Sequence, residues 1–274
     1  MPACHHRSLI GKGPTNCAGL AIRLIPLVAI LIGLTIAVIV ALIAPRLADR
    51  RVVFEVLPDA PKSFGLEMAW IAIRTKNTSQ VLETLELTSA EPANWNSGIG
   101  TVYSPLLADT YVFVSPPIKG WTFIAGVPLP LPVGRSFVDK LTPLLARLAT
   151  EFPQVQYFAG FPIIDFFAWA KLDGGRMVRA FAIGDEGVIW DRGRLTVEER
   201  ALGLKLFDLR GIKGRKGDAG GAIILHPTEQ QVLKLAGGWS LDPSLLDTIG
   251  GDAASGFIAR APSSWRAERL RKAA

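Results

Sequence analysis

Cysteine is nearly missing from this chain. Its two copies, Cys4 and Cys17, both stand near the front, so nothing after them can be stapled by a disulfide or can hold a CxxC zinc or redox pair. Histidine is almost as scarce: His5 and His6 belong to the same front segment, and His226 alone lies in the remainder. A histidine-rich metal centre in that remainder is thereby excluded, and neither a metal nor a cofactor is expected. The loops that cradle phosphates or raise a nucleophile are lacking too. Gly211 to Gly221 is glycine-rich and basic, yet it is neither a P-loop nor a GxGxxG after a strand, and Ser104 and Ser115 lack the Gly-x-Ser-x-Gly elbow.

Acidic residues are absent from residues 1–45, where Arg7, Lys12 and Arg23 supply three positive charges. The net charge of +6 therefore splits into +3 at the front and, with 27 of the 30 basic residues left against all 24 acidic ones, +3 in the rest. A nucleic-acid binder needs its basic residues gathered on one face beside aromatic or helical readers. The densest basic runs, Lys213 to Lys216 and Trp265 to Lys272, read instead as a solvated loop and a chain end, and no nucleic-acid partner is expected.

What is abundant is apolar residues, 49% of the chain, concentrated at the front. Leu24 to Ala44 carries no charge, and a helix of that length reaches across a hydrocarbon core about 30 Å thick. The run is longer than the core of a signal peptide, and Ala44 and Ala48 are poor cleavage points. The sequence thus predicts a single-pass transmembrane helix over 24–44, behind a short basic tail over 1–23, with the lipid bilayer as a partner. Orientation is undecided by charge, since Arg7, Lys12 and Arg23 face Arg46, Arg50 and Arg51 across the run. A single N-terminal anchor ordinarily keeps its tail in the cytoplasm, which would put the domain outside the cell membrane.

Beyond a juxtamembrane segment over 45–67, an α+β domain is expected over 68–250 and a basic tail over 251–274. Met68 to Arg74 suits a strand. Asn77 to Ser79 starts a helix that carries Val81, Leu82 and Leu85 on one side. After an irregular stretch over 90–109, Tyr111–Val114 and Trp121–Ala125 form a hairpin about a proline-rich turn. Phe137, Leu141, Leu144, Leu145 and Leu148 mark a helix face, and Val155–Ala159 is a further strand. The order β-α-β-β-α-β predicts a ferredoxin-like antiparallel sheet with two helices on one face. Asp173-Gly174-Gly175 and Asp185-Glu186-Gly187 are turn signals that extend it by a β-meander. Helices are also expected over Thr196–Leu202 and Pro227–Ala236, the second ended by Gly237 and Gly238.

Among the charges of the meander, Asp165 is the weak catalytic candidate. It falls between Ile164 and Phe166, with Phe167 and Trp169 on its own face if the stretch is a strand. A carboxylate among aromatics can titrate high and act as a general acid. The structural alternative, an acid paired with Lys171 or Arg179, is preferred, because ion-pair networks perturb carboxylates as well.

The succession WIAIRTKN, PANWNSGI, YVFVSPPIKGWTFIAG, FPQVQYFAG, FAWAKLDGGRMVRAFAIGDEG and VLKLAGGWSLDP resembles a widespread group of uncharacterised bacterial proteins over roughly residues 68–246. That resemblance implies no activity. The sequence favours a membrane-anchored binding or protein-interaction module over an enzyme, with Trp95, Trp121 and Trp169 as an exposed aromatic contact patch. The alternative is a carboxylate-dependent hydrolase using Asp165, which needs a second titratable group within hydrogen-bond reach.

Overall fold

A computed structural model describes residues 29–40, 52–134, 136–185, 187–204 and 226–269. Among these residues no helix is long and apolar enough to cross a membrane. The helix described over 29–40 (α1) reaches only about 18 Å at 1.5 Å per residue, short of a core about 30 Å thick. This overturns the spanning helix expected over 24–44. Residues 24–28 and 41–44 lie outside the described residues, as do the basic residues before and after the run that bear on orientation.

The chain divides into two compact units, residues 1–53 and 54–274. The second unit therefore begins before the expected boundary at 68. Asp59 shows why: its carboxylate accepts hydrogen bonds from the amides of Trp95 at 2.7 Å and Asn96 at 2.9 Å, and Phe64 is buried.

This unit is built on one antiparallel sheet of nine strands: β1 (Met68–Ile73), β2 (Thr88–Asn94), β3 (Tyr111–Val114), β4 (Thr122–Ala125), β5 (Gln154–Phe161), β6 (Phe166–Asp173), β7 (Arg176–Gly184), β8 (Gly187–Gly193) and β9 (Ser255–Arg260). Their order across the sheet is β2-β9-β3-β4-β1-β5-β6-β7-β8. Every residue of β1 is buried, because β1 lies mid-sheet with both faces covered. Ala69, Ile71 and Ile73 enter one core, against α2 (Thr78–Thr84) and α4 (Leu141–Glu151). Met68, Trp70 and Ala72 enter the other, against α3 (Trp95–Val102) and α6 (Glu229–Trp239). The period of two along a strand divides these residues between the cores.

The ferredoxin-like expectation is corrected accordingly. The expected strands occupy the middle of the sheet as β3-β4-β1-β5, but the sheet is larger and helices cover both of its faces. Residues 251–274, expected as a tail, supply β9, which inserts between β2 and β3. Gly256 permits that insertion, since a Cβ there would lie 2.2 Å from the carbonyl oxygen of Val114. The irregular stretch over 90–109 contains most of β2 and all of α3. Pro92 is tolerated in β2 because that strand is an edge.

Two short helices complete the unit, α5 (Val197–Ala201) and α7 (Leu246–Ile249). α6 runs through Gly237 and Gly238 rather than ending before them. A Cβ at Gly238 would meet the Glu198 side chain at 3.0 Å, so that glycine lets α5 approach.

Candidate functional site

All seven tryptophans are buried, which removes the expected aromatic patch. Trp95 opens α3 and packs its ring on Phe113 at 5.4 Å. Trp121 closes the β3–β4 turn, under the Arg74 guanidinium at 5.3 Å. Trp169 stacks on Phe181 at 4.7 Å and donates its indole N–H to Glu199 Oε1 at 2.8 Å. All three belong to the core packed against α3 and α6, and none reaches the surface.

Asp165 is not in a strand. It follows a turn of 3-10 helix over Pro162–Ile164 and adopts left-handed backbone angles, with φ at 49°. Asp tolerates that region better than most residues. The side chain is exposed and is not an ion-pair partner of Lys171 or Arg179. Arg179 is engaged elsewhere: its Nε donates to Glu199 Oε1 at 2.7 Å and its Nη1 to Asp191 Oδ1 at 2.6 Å. Glu199 is itself fully buried, and its second oxygen accepts the Thr196 amide at 2.7 Å.

This buried cluster has the composition of an active site, two carboxylates and a guanidinium, but its geometry is structural. Glu199 Oε1 is shared by Arg179 and Trp169, and the other oxygen closes the capping box of α5. The cluster fastens α5 to the sheet through charge-assisted hydrogen bonds. Removing one partner of such a buried pair costs about 3–5 kcal/mol. The neighbouring Glu198 is half-buried. Burial would raise its pKa, but hydrogen bonds from its own amide and Thr196, with Lys171 nearby, hold it below the usual value. Among the described residues no group of three or more His, Cys, Asp or Glu is placed to hold a metal ion.

The feature that stands out lies at one end of the sheet. The pairings of Met68 with Gly160, Trp70 with Ala125 and Tyr111 with Arg260 show that β1 starts there, and that β4, β5 and β9 finish there. The loops at this end carry Leu66, Leu106, Ile163 and Ile164, exposed by 44%, 83%, 83% and 59%. Those values mark aliphatic side chains held in water. The loop bearing Leu66 is pinned: the Tyr103 hydroxyl accepts the Gly65 amide at 3.2 Å and donates to the Leu66 carbonyl at 3.0 Å. Glu229 Oε1 takes the Glu67 amide at 2.6 Å. Burial raises the Tyr103 pKa, and the carboxylates of Glu229 and Glu67 add to the rise, against the lowering effect of its two backbone hydrogen bonds.

At the same end a cleft of about 410 Å³ opens between the segment after β4, residues 127–133, and the segment after β9, residues 260–267. Leu129 and Trp265 belong to its floor, since both are buried in the α2–α4 core. The sequence held a signal for this end that the strand reading passed over. Pro162 suits the start of a helical turn, and Ile163 and Ile164 lie on the 3-10 turn that it opens rather than at the start of β6.

No family model matches the chain, and neither a curated protein nor a solved structure is detectably similar to it. The resemblance over residues 68–246 therefore brings no activity to the site.

Proposed function

We propose that this protein is a binding module that contacts a protein partner through the loops at the β1-start end of its sheet. One observation carries the reading: Leu66, Leu106, Ile163 and Ile164 are exposed at the same end of a domain whose tryptophans are all buried. A domain that buries every tryptophan while leaving aliphatic side chains in water at one end of its sheet carries a hydration cost that a partner would relieve, at roughly 25 cal/mol per Å² of apolar surface covered. The pinning of the 65–67 loop by Tyr103 and Glu229 lowers the entropy lost on association.

The test is substitution at the tips of the loops. Ile163→Asp and Leu106→Asp should leave the thermal melt within about 0.5 kcal/mol of the parent, because neither side chain packs in the core. Both should abolish co-purification of any partner that the parent protein retains. Retention of that partner by both variants would sink the proposal.

A further inference from the structure

The exposed aliphatic residues at the β1-start end stand among carboxylates. In a chain whose net charge is +6, the segments over 63–68, 103–108, 161–167 and 226–231 contain neither lysine nor arginine. They contain three acids, Glu67, Asp165 and Glu229. Glu67 follows Leu66 and Asp165 follows Ile164, and both of these acids are exposed. None of the three belongs to an ion pair among the described residues.

Strand pairing gathers these acids. Met68 of β1 pairs with Gly160 of β5, and Gly160 with Phe167 of β6, so Glu67 and the 162–165 turn leave the sheet side by side. Glu229, in the first turn of α6, stands over the same glycine: a Cβ at Gly160 would meet its Cγ at 3.5 Å, and its Oε1 takes the Glu67 amide at 2.6 Å. Glu67 and Asp165 each immediately precede a strand and each hold left-handed backbone angles, with φ at 51° and 49°. Glycine takes that conformation at little cost, yet both positions carry a charge. Lys62, the first cation before Leu66 in the chain, lines a hollow with Asp59 and Asn94 by the start of α3. Arg260 ends β9, three strands from β1, which at about 4.8 Å per strand is about 14 Å, beyond the Debye length of about 10 Å at 0.1 M salt.

Granting the contact surface proposed above, on which this rests, we infer that it binds a cationic amphipathic segment of a protein, one that presents lysine or arginine beside aliphatic side chains. The aliphatic side chains of that segment cover Leu66, Ile163 and Ile164, and its cations meet Glu67 and Asp165 beside them. Charge selects this occupant over two others. A second copy of the chain would set the same three carboxylates against these, and an anionic lipid surface would be repelled by them.

The experiment titrates the full-length protein against three short fluorescent helical peptides, each with leucine on one face and lysine, glutamine or glutamate on the other, and reads anisotropy. At about 0.05 M salt the lysine peptide should bind about fivefold tighter than the glutamine peptide, the factor that two exposed ion pairs supply, and about 0.5 M salt should close the gap. The glutamate peptide should bind most weakly. E67Q/D165N removes two exposed charges, so its melt should match the parent's while its affinity for the lysine peptide falls to that for the glutamine peptide. E151Q/D173N removes two exposed charges at the opposite end of the sheet, where β5 starts, and should change nothing. Equal binding of the lysine and glutamine peptides, with both weakened by Ile163→Ser, would overturn the inference and leave the contact surface standing. Binding of all three peptides unmoved by Ile163→Ser would overturn both. Loss of lysine-peptide binding in E151Q/D173N as large as in E67Q/D165N would also overturn the inference, since the attraction would then belong to no one surface.

Discussion

Tyr157 sits in β5 with its ring fully buried and its hydroxyl without a hydrogen-bond partner among the described residues. An unpaired buried hydroxyl contributes little to stability, so Tyr157→Phe should leave it unchanged or raise it by up to about 1 kcal/mol at neutral pH. Burial also pushes the phenol's pKa well above its ordinary value, which fixes the sign of a pH effect. With the folded pKa raised, the stabilisation is fully present below the unfolded value near ~10 and is lost as pH climbs toward the folded one. Chemical denaturation from pH 8 to 11 should therefore show stability falling on the alkaline side in the parent and falling less in Tyr157→Phe; identical slopes would refute the assignment. At this scale the sequence was a poor guide to roles. Trp169 was legible as an important aromatic, but its tie to Glu199 was not, because Glu199 lies thirty positions on, in another element. Asp165 was misplaced because apolar neighbours on both sides read as a strand, whereas Pro162 before it and left-handed angles at it make a turn.

The elements most visible in the sequence were those with a strong apolar period. α4 shows its buried face as Leu141, Leu144, Leu145 and Leu148, and α2 shows its cap, the Asn77 side chain accepting the Gln80 amide at 3.1 Å. α3 was invisible, since Trp95–Val102 holds two glycines and a serine, which weaken a helix by propensity alone. It forms because Asn94 and Asp59 cap its start and because Gly98 lets it close on β3. A Cβ at Gly98 would lie 2.2 Å from the Phe113 ring. Propensity favours Gly98→Ala by about 1 kcal/mol, yet overpacking against that ring should reverse the sign and destabilise by about 1–3 kcal/mol. A urea melt decides between them: a raised midpoint would show that α3 does not pack as described. β9 was missed for a related reason. Six residues that include a serine, a glycine and an alanine carry little strand signal, and its place is fixed by contacts with β2 and β3 that no local window contains.

For the whole molecule, the sequence indicated an α+β domain and the succession of its central strands, because the turn signals and apolar runs are local. It did not indicate nine strands, helices on both faces or the start of the compact unit at Phe54, which depend on pairings between distant segments. The apolar run over 24–44 suggested a membrane span by length alone, and the helix described there, 29–40, is too short to be one. The contact surface was sought among tryptophans, which are buried; the one we propose lies among exposed aliphatic residues on loops, which hydrophobicity alone cannot distinguish from core. The central claim is that these loops meet a partner, and site-specific photo-crosslinking tests it most directly. A benzoylphenylalanine is placed at Ile163, exposed by 83%, and in a separate protein at Val197, exposed by 70%. Val197 follows β8 at the opposite end of the sheet, so it controls for exposure without position. Irradiation in the cells that make the protein should yield a discrete adduct from position 163, lost when Leu106→Asp is added, and none from position 197. No adduct from position 163, or the same adducts from both positions, would contradict the account.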